Sequence, residues 1–285
     1  DLIAPLNLND LKYINRSKNW HDDINRTIRI IQKYSIDIII CDLPAINQSW
    51  INEVQIYAGV IVFDDFPIDK INADIIVNPN NAYDFMEEYI VKNQKNLLIG
   101  QEYNPINKCY WQKTCEIKND IKNILVYLGS AVSFEITKSI IESLIPLKIQ
   151  INYIGEYSSR LNYLYKGKSF FKSKKFVENF YEEYKKADIC IGACGVSFWE
   201  RCHLGIPSII LKTAENQIKD IEYLNNIEAI IEIDLDNINA SLVSIFSRFE
   251  KDANLIKILS KKSYSVVCNS YNVNIAKSII DSFTK

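Results

Sequence analysis

Residues 187–217 read ADICIGACGVSFWERCHLGIPSIILKTAENQ, and this stretch decides the fold. The apolar run 189–191 has strand character, and Gly192 and Gly195 bracket a tight turn after it. A helix is expected from Val196, with Ser197 and Glu200 near its first turn, and Gly205-Ile206-Pro207 ends it before a second strand at 208–211. Such a turn leaves unpaired backbone N–H groups at a helix N-terminus, where they and the helix dipole favour a phosphate. Glycines let the backbone approach a ligand without a Cβ in the way. Glu200 lies about one helical turn in, within reach of a ribose hydroxyl, with a capping interaction on the turn as its competing role. Glu215, Asn216 and Gln217 follow the second strand, at the carboxyl edge where open α/β sheets bind ligands.

The chain has 285 residues, enough for one large domain or two of medium size. Apolar residues make up 48% and charged residues 24%, which fits a soluble globular protein. The net charge is −2 and no basic block occurs, so nucleic acid is excluded as an expected partner. No apolar stretch approaches the roughly 20 residues of a membrane span. No signal-peptide pattern is seen at residue 1, and the expected compartment is cytoplasmic. The seven cysteines, at 41, 109, 115, 190, 194, 202 and 268, form no C-x-x-C pair, so they are expected to be reduced and mostly buried, with no metal site.

Working outward, the first half alternates short buried strands (36–43, 60–64, 74–78, 96–99) with helical spacing over 22–34 through Ile24, Ile28 and Ile31. That is the pattern of a parallel sheet. Residues 100–120 read as a connection. A second series follows at 124–128, 149–154, 189–191, 208–211 and 230–233, with helices at 133–145 and 177–187, and 237–284 reads as helices. The expected domains are therefore 1–115 and 116–285.

Several residues have two readings. His21, in NWHDD, is a base beside Asp22 and Asp23 or a solvated residue at a helix start, and the second is preferred. His203, near a helix C-terminus, reads as favourable to the helix dipole. Asp64 and Asp65 close a strand and point to opposite sides, so they do not form a proton-sharing pair; one bonds the following turn and the other is open to a site role. Gly129 and Ser130 follow the first strand of the second series and are placed for phosphate contact, while a helix N-cap by Ser133 accounts for the same loop equally well. Trp199 reads as a core aromatic.

The motif Ser197-x-Trp199-Glu200-Arg201, with Leu204-Gly205-x-Pro207 and Glu215-Asn216-Gln217, resembles the UDP-2,4-diacetamido-2,4,6-trideoxy-altropyranose hydrolases of the pseudaminic acid pathway. VIVFDDFPIDKINADIIVNPN at 60–80 and NLLIGQEYNPIN at 96–107 are similar to further segments of that family, so the likeness runs from about residue 36 onward. The resemblance implies two Rossmann-like doubly wound α/β domains in a glycosyltransferase-B-like arrangement. It implies hydrolysis of a UDP-sugar by water with inversion at the anomeric carbon, no cofactor, and a UDP-sugar as the small-molecule partner. The implied substrate-binding set is Gly129, Ser130, Gly192, Gly195, Val196, Ser197, Glu200, Asn216 and Gln217. The family's base is a histidine in a Gly-His loop after its first strand. No glycine precedes Gly59 here, so the first domain is expected to lack its opening βαβ unit and the catalytic residue stays unassigned. Other departures are GSAVSF at 129–134 in place of Gly-Gly-x-Asp, Asn107 in place of Arg, and NSYNVN at 269–274 without glycine. A glycosyltransferase of the same fold and a non-catalytic nucleotide-sugar-binding relative remain alternatives.

Overall fold

The structure, a computed structural model, describes residues 19–42, 46–64, 71–80, 96–111, 120–129, 131–267 and 275–283. These fall into two compact units, one drawn from 1–78, 83–99 and 276–285, the other from 79–82 and 100–275.

The first unit opens with helix α1 (Trp20–Tyr34), where the Asn19 side chain accepts from the His21 N–H and Ser35 ends the helix at φ 50°. Ile24, Thr27 and Ile31 form its buried stripe, at the spacing of one helical face. Strand β1 (Ile38–Cys41), helix α2 (Gln48–Val54) and strands β2 (Gly59–Phe63), β3 (Ile75–Asn78) and β4 (Leu97–Ile99) follow. The strands lie in the order β1-β2-β3-β4, all parallel. β2 and β3 are apolar almost without interruption because a parallel sheet is covered on both faces. Trp50 of α2 donates its ring N–H to buried Asp23 of α1 at 2.8 Å, tying the two helices together.

The second unit holds β5 (Asn123–Tyr127), α3 (Phe134–Leu144), β6 (Gln150–Ile154), α4 (Ser158–Leu164), β7 (Phe171–Lys174), α5 (Phe180–Lys186) and β8 (Ile189–Ala193). It continues with α6 (Val196–Leu204), β9 (Ser208–Leu211), α7 (Ile218–Asn226), β10 (Ile231–Glu232), α8 (Ile238–Lys251) and α9 (Asn254–Val267). Six parallel strands lie in the order β10-β9-β8-β5-β6-β7. Alternation along the strands feeds two cores. Ile124, Val126, Ile189 and Ile191 face α3, α8 and the start of α9, while Leu125, Cys190 and Ile210 face α6, α7 and the end of α9. Asp188 fixes the sheet's entry edge: its Oδ2 accepts from the backbone N–H of Lys122 and of Asn123, each at 2.8 Å.

A last helix, α10 (Ile275–Phe283), groups with the first unit from residue 276. The sequence reading divided the chain after 115 and kept 116–285 together. In the structure the residues from Gly100 group with the second unit, where Gln101 donates to the Val266 carbonyl and Tyr110 is buried in the α6 core. Phe283 of α10 lies against Gly59, where a Cβ would meet its ring. The expected connection over 100–120 contains two short 3-10 turns, Gln101–Tyr103 and Lys108–Tyr110. The strand β7 and the helices α2, α4 and α7 were given no bounds in the sequence reading. β7 is an edge strand whose FKSK buries only Phe171, so it carries no apolar run.

Candidate functional site

The site is built from three loops that leave the carboxyl ends of adjacent parallel strands. In the central pairs, Tyr127 of β5 lies opposite Gly192 of β8, and Ala193 of β8 lies opposite Leu211 of β9. The residues that follow, Gly129 after β5, the 193–197 turn after β8 and the 212–217 loop after β9, therefore emerge at one edge. From β5 the chain proceeds outward to β6 and β7, and from β8 it proceeds the other way to β9 and β10. The gap between β5 and β8 is thus a topological switch point, the position where doubly wound sheets open a ligand crevice.

Each loop has a local reason for its course. Gly129 sits at φ 76°, a conformation that favours glycine, and a Cβ there would meet nothing within 4 Å. Ser130 lies outside the described residues. Ser133 caps α3, its Oγ accepting from the Ile136 N–H at 3.3 Å. Gly192 is buried, and its missing side chain is a packing requirement: a Cβ would stand 2.5 Å from the Tyr127 carbonyl oxygen and 3.2 Å from Arg201 Nη1. Gly195, the N-cap of α6, has ordinary extended geometry, and a Cβ there would come only within 4.0 Å of Gln217 Nε2. The β8 turn and the β9 loop are therefore close neighbours. Gln217 is held by Thr213, whose Oγ1 donates to its Oε1 at 3.1 Å. Asn216 is half-buried on the same loop.

α6 begins with Val196, which is exposed, and Ser197, which is half-buried. It ends at Gly205 in the left-handed conformation (φ 67°), with the Ile206 N–H returning to the Arg201 carbonyl at 2.9 Å. The residue that sequence reasoning passed over is Arg201. It is wholly buried and donates from Nε to Ser208 Oγ at 3.0 Å, from Nη1 to Ser197 Oγ at 3.3 Å and from Nη2 to the Ala193 carbonyl at 3.0 Å. The signal was present in the i,i+4 spacing of Ser197 and Arg201.

Glu200 is half-buried, and its Oε2 accepts from the Tyr184 hydroxyl at 3.3 Å. Burial raises its pKa, against the opposing effects of that hydrogen bond and of Arg201. The bond it makes is to a tyrosine of α5, not to the turn. The Lys108–Tyr110 turn packs against α6, bringing Tyr110 and Cys109 into the electrostatic neighbourhood of Glu200. Asn107 caps that turn, its Oδ1 accepting from the Cys109 N–H at 3.0 Å.

Trp199 is a buried core residue, edge-on to Phe198 at 5.2 Å. His21 is an exposed residue at the start of α1, in line with its solvated reading. His203 differs from its reading: it is buried, and desolvation depresses its pKa to about 4, so it is neutral where a dipole role needs a charge. Asp65 and 269–274 lie outside the described residues, as do Cys115 and Cys268. Of the other cysteines, 41, 190, 194 and 202 are buried and Cys109 is exposed. Among the described residues no three His, Cys, Asp or Glu side chains are placed to hold a metal ion. No described helix is long and apolar enough to cross a membrane.

No family model matches the chain. A Methanocaldococcus jannaschii protein, uncharacterized protein MJ1062, is 28% identical over 239 residues, which cover 76% of this chain and 48% of that protein. The chain thus spans about half the length of the curated relative it matches. Among solved structures, a glycosyltransferase from Rickettsia africae superposes with a TM-score of 0.59 at 14% identity, covering 96% of this chain and 83% of that one. S. aureus MnaA, solved with UDP, gives 0.64 at 11% identity over 96% and 83%. MurG of Acinetobacter baumannii gives 0.59 at 14% over 92% and 77%. The fold is glycosyltransferase-B-like, with two parallel α/β units. At these identities the likeness speaks to architecture alone.

Proposed function

We propose that the second unit binds a uridine diphosphate sugar at the β5–β8 switch point. The observation that carries this reading is the register that brings the Gly129, 193–197 and 212–217 loops to one edge of the sheet. In this reading the N–H groups at the start of α6 meet the diphosphate, Glu200 accepts from the ribose hydroxyls, and Asn216 and Gln217 meet the diphosphate or the sugar. Gly129 approaches the phosphates from the β5 side, and Ser130, next in the chain, is assigned to the same contact by the sequence motif alone. The motif at 187–217 supports a reaction of the pseudaminic pathway hydrolase type, in which water releases UDP from a 2,4-diacetamido-2,4,6-trideoxyhexose donor. A second reading, transfer of the sugar to an acceptor other than water, draws on the glycosyltransferases among the structural neighbours. Calorimetry with UDP tests the site, and folded protein that binds no UDP at millimolar concentration refutes it. Phosphorus NMR of UDP release tests the reaction: release without an added acceptor supports hydrolysis, and release only with an acceptor supports transfer.

A further inference from the structure

We infer that Arg201 is the positioning residue of the phosphate turn and the fixed positive charge beneath it, so that the site selects nucleoside diphosphates over uncharged nucleosides. This rests on the UDP reading above. Its three hydrogen bonds reach the end of β8 at Ala193, the first turn of α6 at Ser197 and the start of β9 at Ser208. One rigid fork thereby fixes the turn between β8 and α6 to the neighbouring strand, a geometry that a lysine's single ammonium does not reproduce. Gly192 supplies the room, since a Cβ would lie 3.2 Å from Nη1 and 3.4 Å from Nη2. All three acceptors are neutral oxygens. They take three of its five N–H donors without cancelling the charge, which the adjacent Glu200 also feels, and a charge kept in a protein interior favours whatever further compensates it. The surrounding Phe198, Cys190, Cys194 and Cys202 are buried, so the field of the guanidinium is little screened by water. It acts on the same side as the positive end of the α6 dipole. The ligand moiety that answers both is a phosphate pair; a nucleoside base and ribose gain nothing from it.

The test is the dissociation constant of UDP and of uridine, by calorimetry, for the wild-type chain, Arg201→Gln and Arg201→Lys, each checked for folding by circular dichroism. Arg201→Gln is expected to weaken UDP about tenfold or more, through the lost charge and the loosened turn, while uridine changes less than about twofold. Arg201→Lys, which keeps the charge and loses the fork, falls between. Equal losses for both ligands, or no loss, overturn the inference. If Arg201→Gln does not fold, Ser208→Ala decides: it removes the Nε acceptor together with the hydroxyl's own donation to the Ile206 carbonyl at 3.3 Å, and a UDP-selective loss supports the inference while an equal or absent loss overturns it. Wild-type protein that binds uridine as tightly as UDP also overturns it. Wild-type protein that binds neither ligand removes the site itself, an outcome distinct from the failure of Arg201 alone.

Discussion

The Tyr184 hydroxyl donates to Glu200 Oε2 across 3.3 Å, joining α5 to α6 beside the switch-point edge. The bond fixes one carboxylate oxygen, and in the proposed site the other is the one that accepts from a ribose hydroxyl. Tyr184 is itself buried, edge-on to Tyr110 at 6.0 Å, so its hydroxyl has little freedom to turn elsewhere.

Glu200→Ala is therefore expected to weaken UDP by about 1.5–3 kcal/mol, the range for a hydrogen bond to a charged group. A 2′,3′-dideoxy analogue, which lacks the hydroxyls, should lose much less. Tyr184→Phe should give a smaller loss of UDP affinity and push the Glu200 pKa further up, because that hydrogen bond is one of the effects holding it down. Affinity in Tyr184→Phe should thus begin to fall at a higher pH on acidification than in the wild type. Calorimetric titrations over a pH series check this, and an equal loss of UDP and dideoxy-UDP in Glu200→Ala would remove Glu200 from the ribose.

The two glycines of the β8 turn should part company on substitution. Gly192→Ala sets a Cβ 2.5 Å from a backbone carbonyl in the centre of the sheet, where nothing can yield cheaply. Overpacking typically costs about 1–3 kcal/mol, and a contact this short with a backbone oxygen belongs at the upper end. Gly195→Ala adds only a 4.0 Å contact with Gln217 Nε2. It should keep the wild-type melting temperature to within a few degrees and weaken UDP by crowding the gap between the turn and the 212–217 loop. Thermal unfolding and calorimetry on both variants separate the roles. A stable Gly192→Ala protein would show that Arg201 and Tyr127 do not define that space.

His203 should make the second unit acid-sensitive. Its folded pKa is depressed from 6.5 to about 4 by burial, so below 6.5 the unfolded chain takes up a proton that the folded chain refuses. The stability is complete above 6.5 and drains away as pH falls toward 4, by at most about 3 kcal/mol. Urea unfolding midpoints should decline over that window. In His203→Gln, which does not titrate, the decline should be shallower. An identical pH slope in the two proteins would exclude His203 as the cause.

The legible part of the fold was the part with uninterrupted periodicity. β2, β3, β8 and β9 are apolar runs because both faces of a parallel sheet are covered, and α1 shows its helical spacing in the letters through Ile24, Ile28 and Ile31, of which Ile24 and Ile31 are buried while Ile28 is half-buried beside buried Thr27. β7 and α4 were not legible, because an edge strand and a seven-residue helix bury too little to leave a pattern. The 189–217 elements followed from their glycines and from Pro207. What the sequence did not disclose was contact across elements. Gly192 reads as a ligand-facing glycine until Arg201 is placed against it, and Glu200 reads as a helix-start residue until Tyr184, sixteen positions earlier, is found bonded to it. His203 was misjudged because burial of α6 against α9 strips water from the ring, and that desolvation outweighs the pull of the helix C-terminus on a charged histidine.

Cys109 offers a chemical readout of the site in the unmodified protein. It is the exposed cysteine among those described, and its turn, capped by Asn107, packs beside Glu200. Its pKa is raised, first by partial desolvation and then by the Glu200 carboxylate, so at neutral pH it should react slowly with iodoacetamide. A ribose bound at Glu200 should cover the same edge and slow the reaction further. Trypsin releases Cys109 in CYWQK and Cys115 in TCEIK, so mass spectrometry reads the two separately. Saturating UDP is expected to protect Cys109 several-fold, uridine to protect it at correspondingly higher concentration, and inorganic phosphate to leave it unprotected, since the proposed site puts the phosphates at the start of α6. Glu200→Ala should abolish protection at UDP concentrations that saturate the wild type, while raising the unprotected rate because a neighbouring negative charge has gone. Unchanged Cys109 reactivity in UDP-saturated wild-type protein would show that the nucleoside lies away from Glu200, even if UDP binds the switch point.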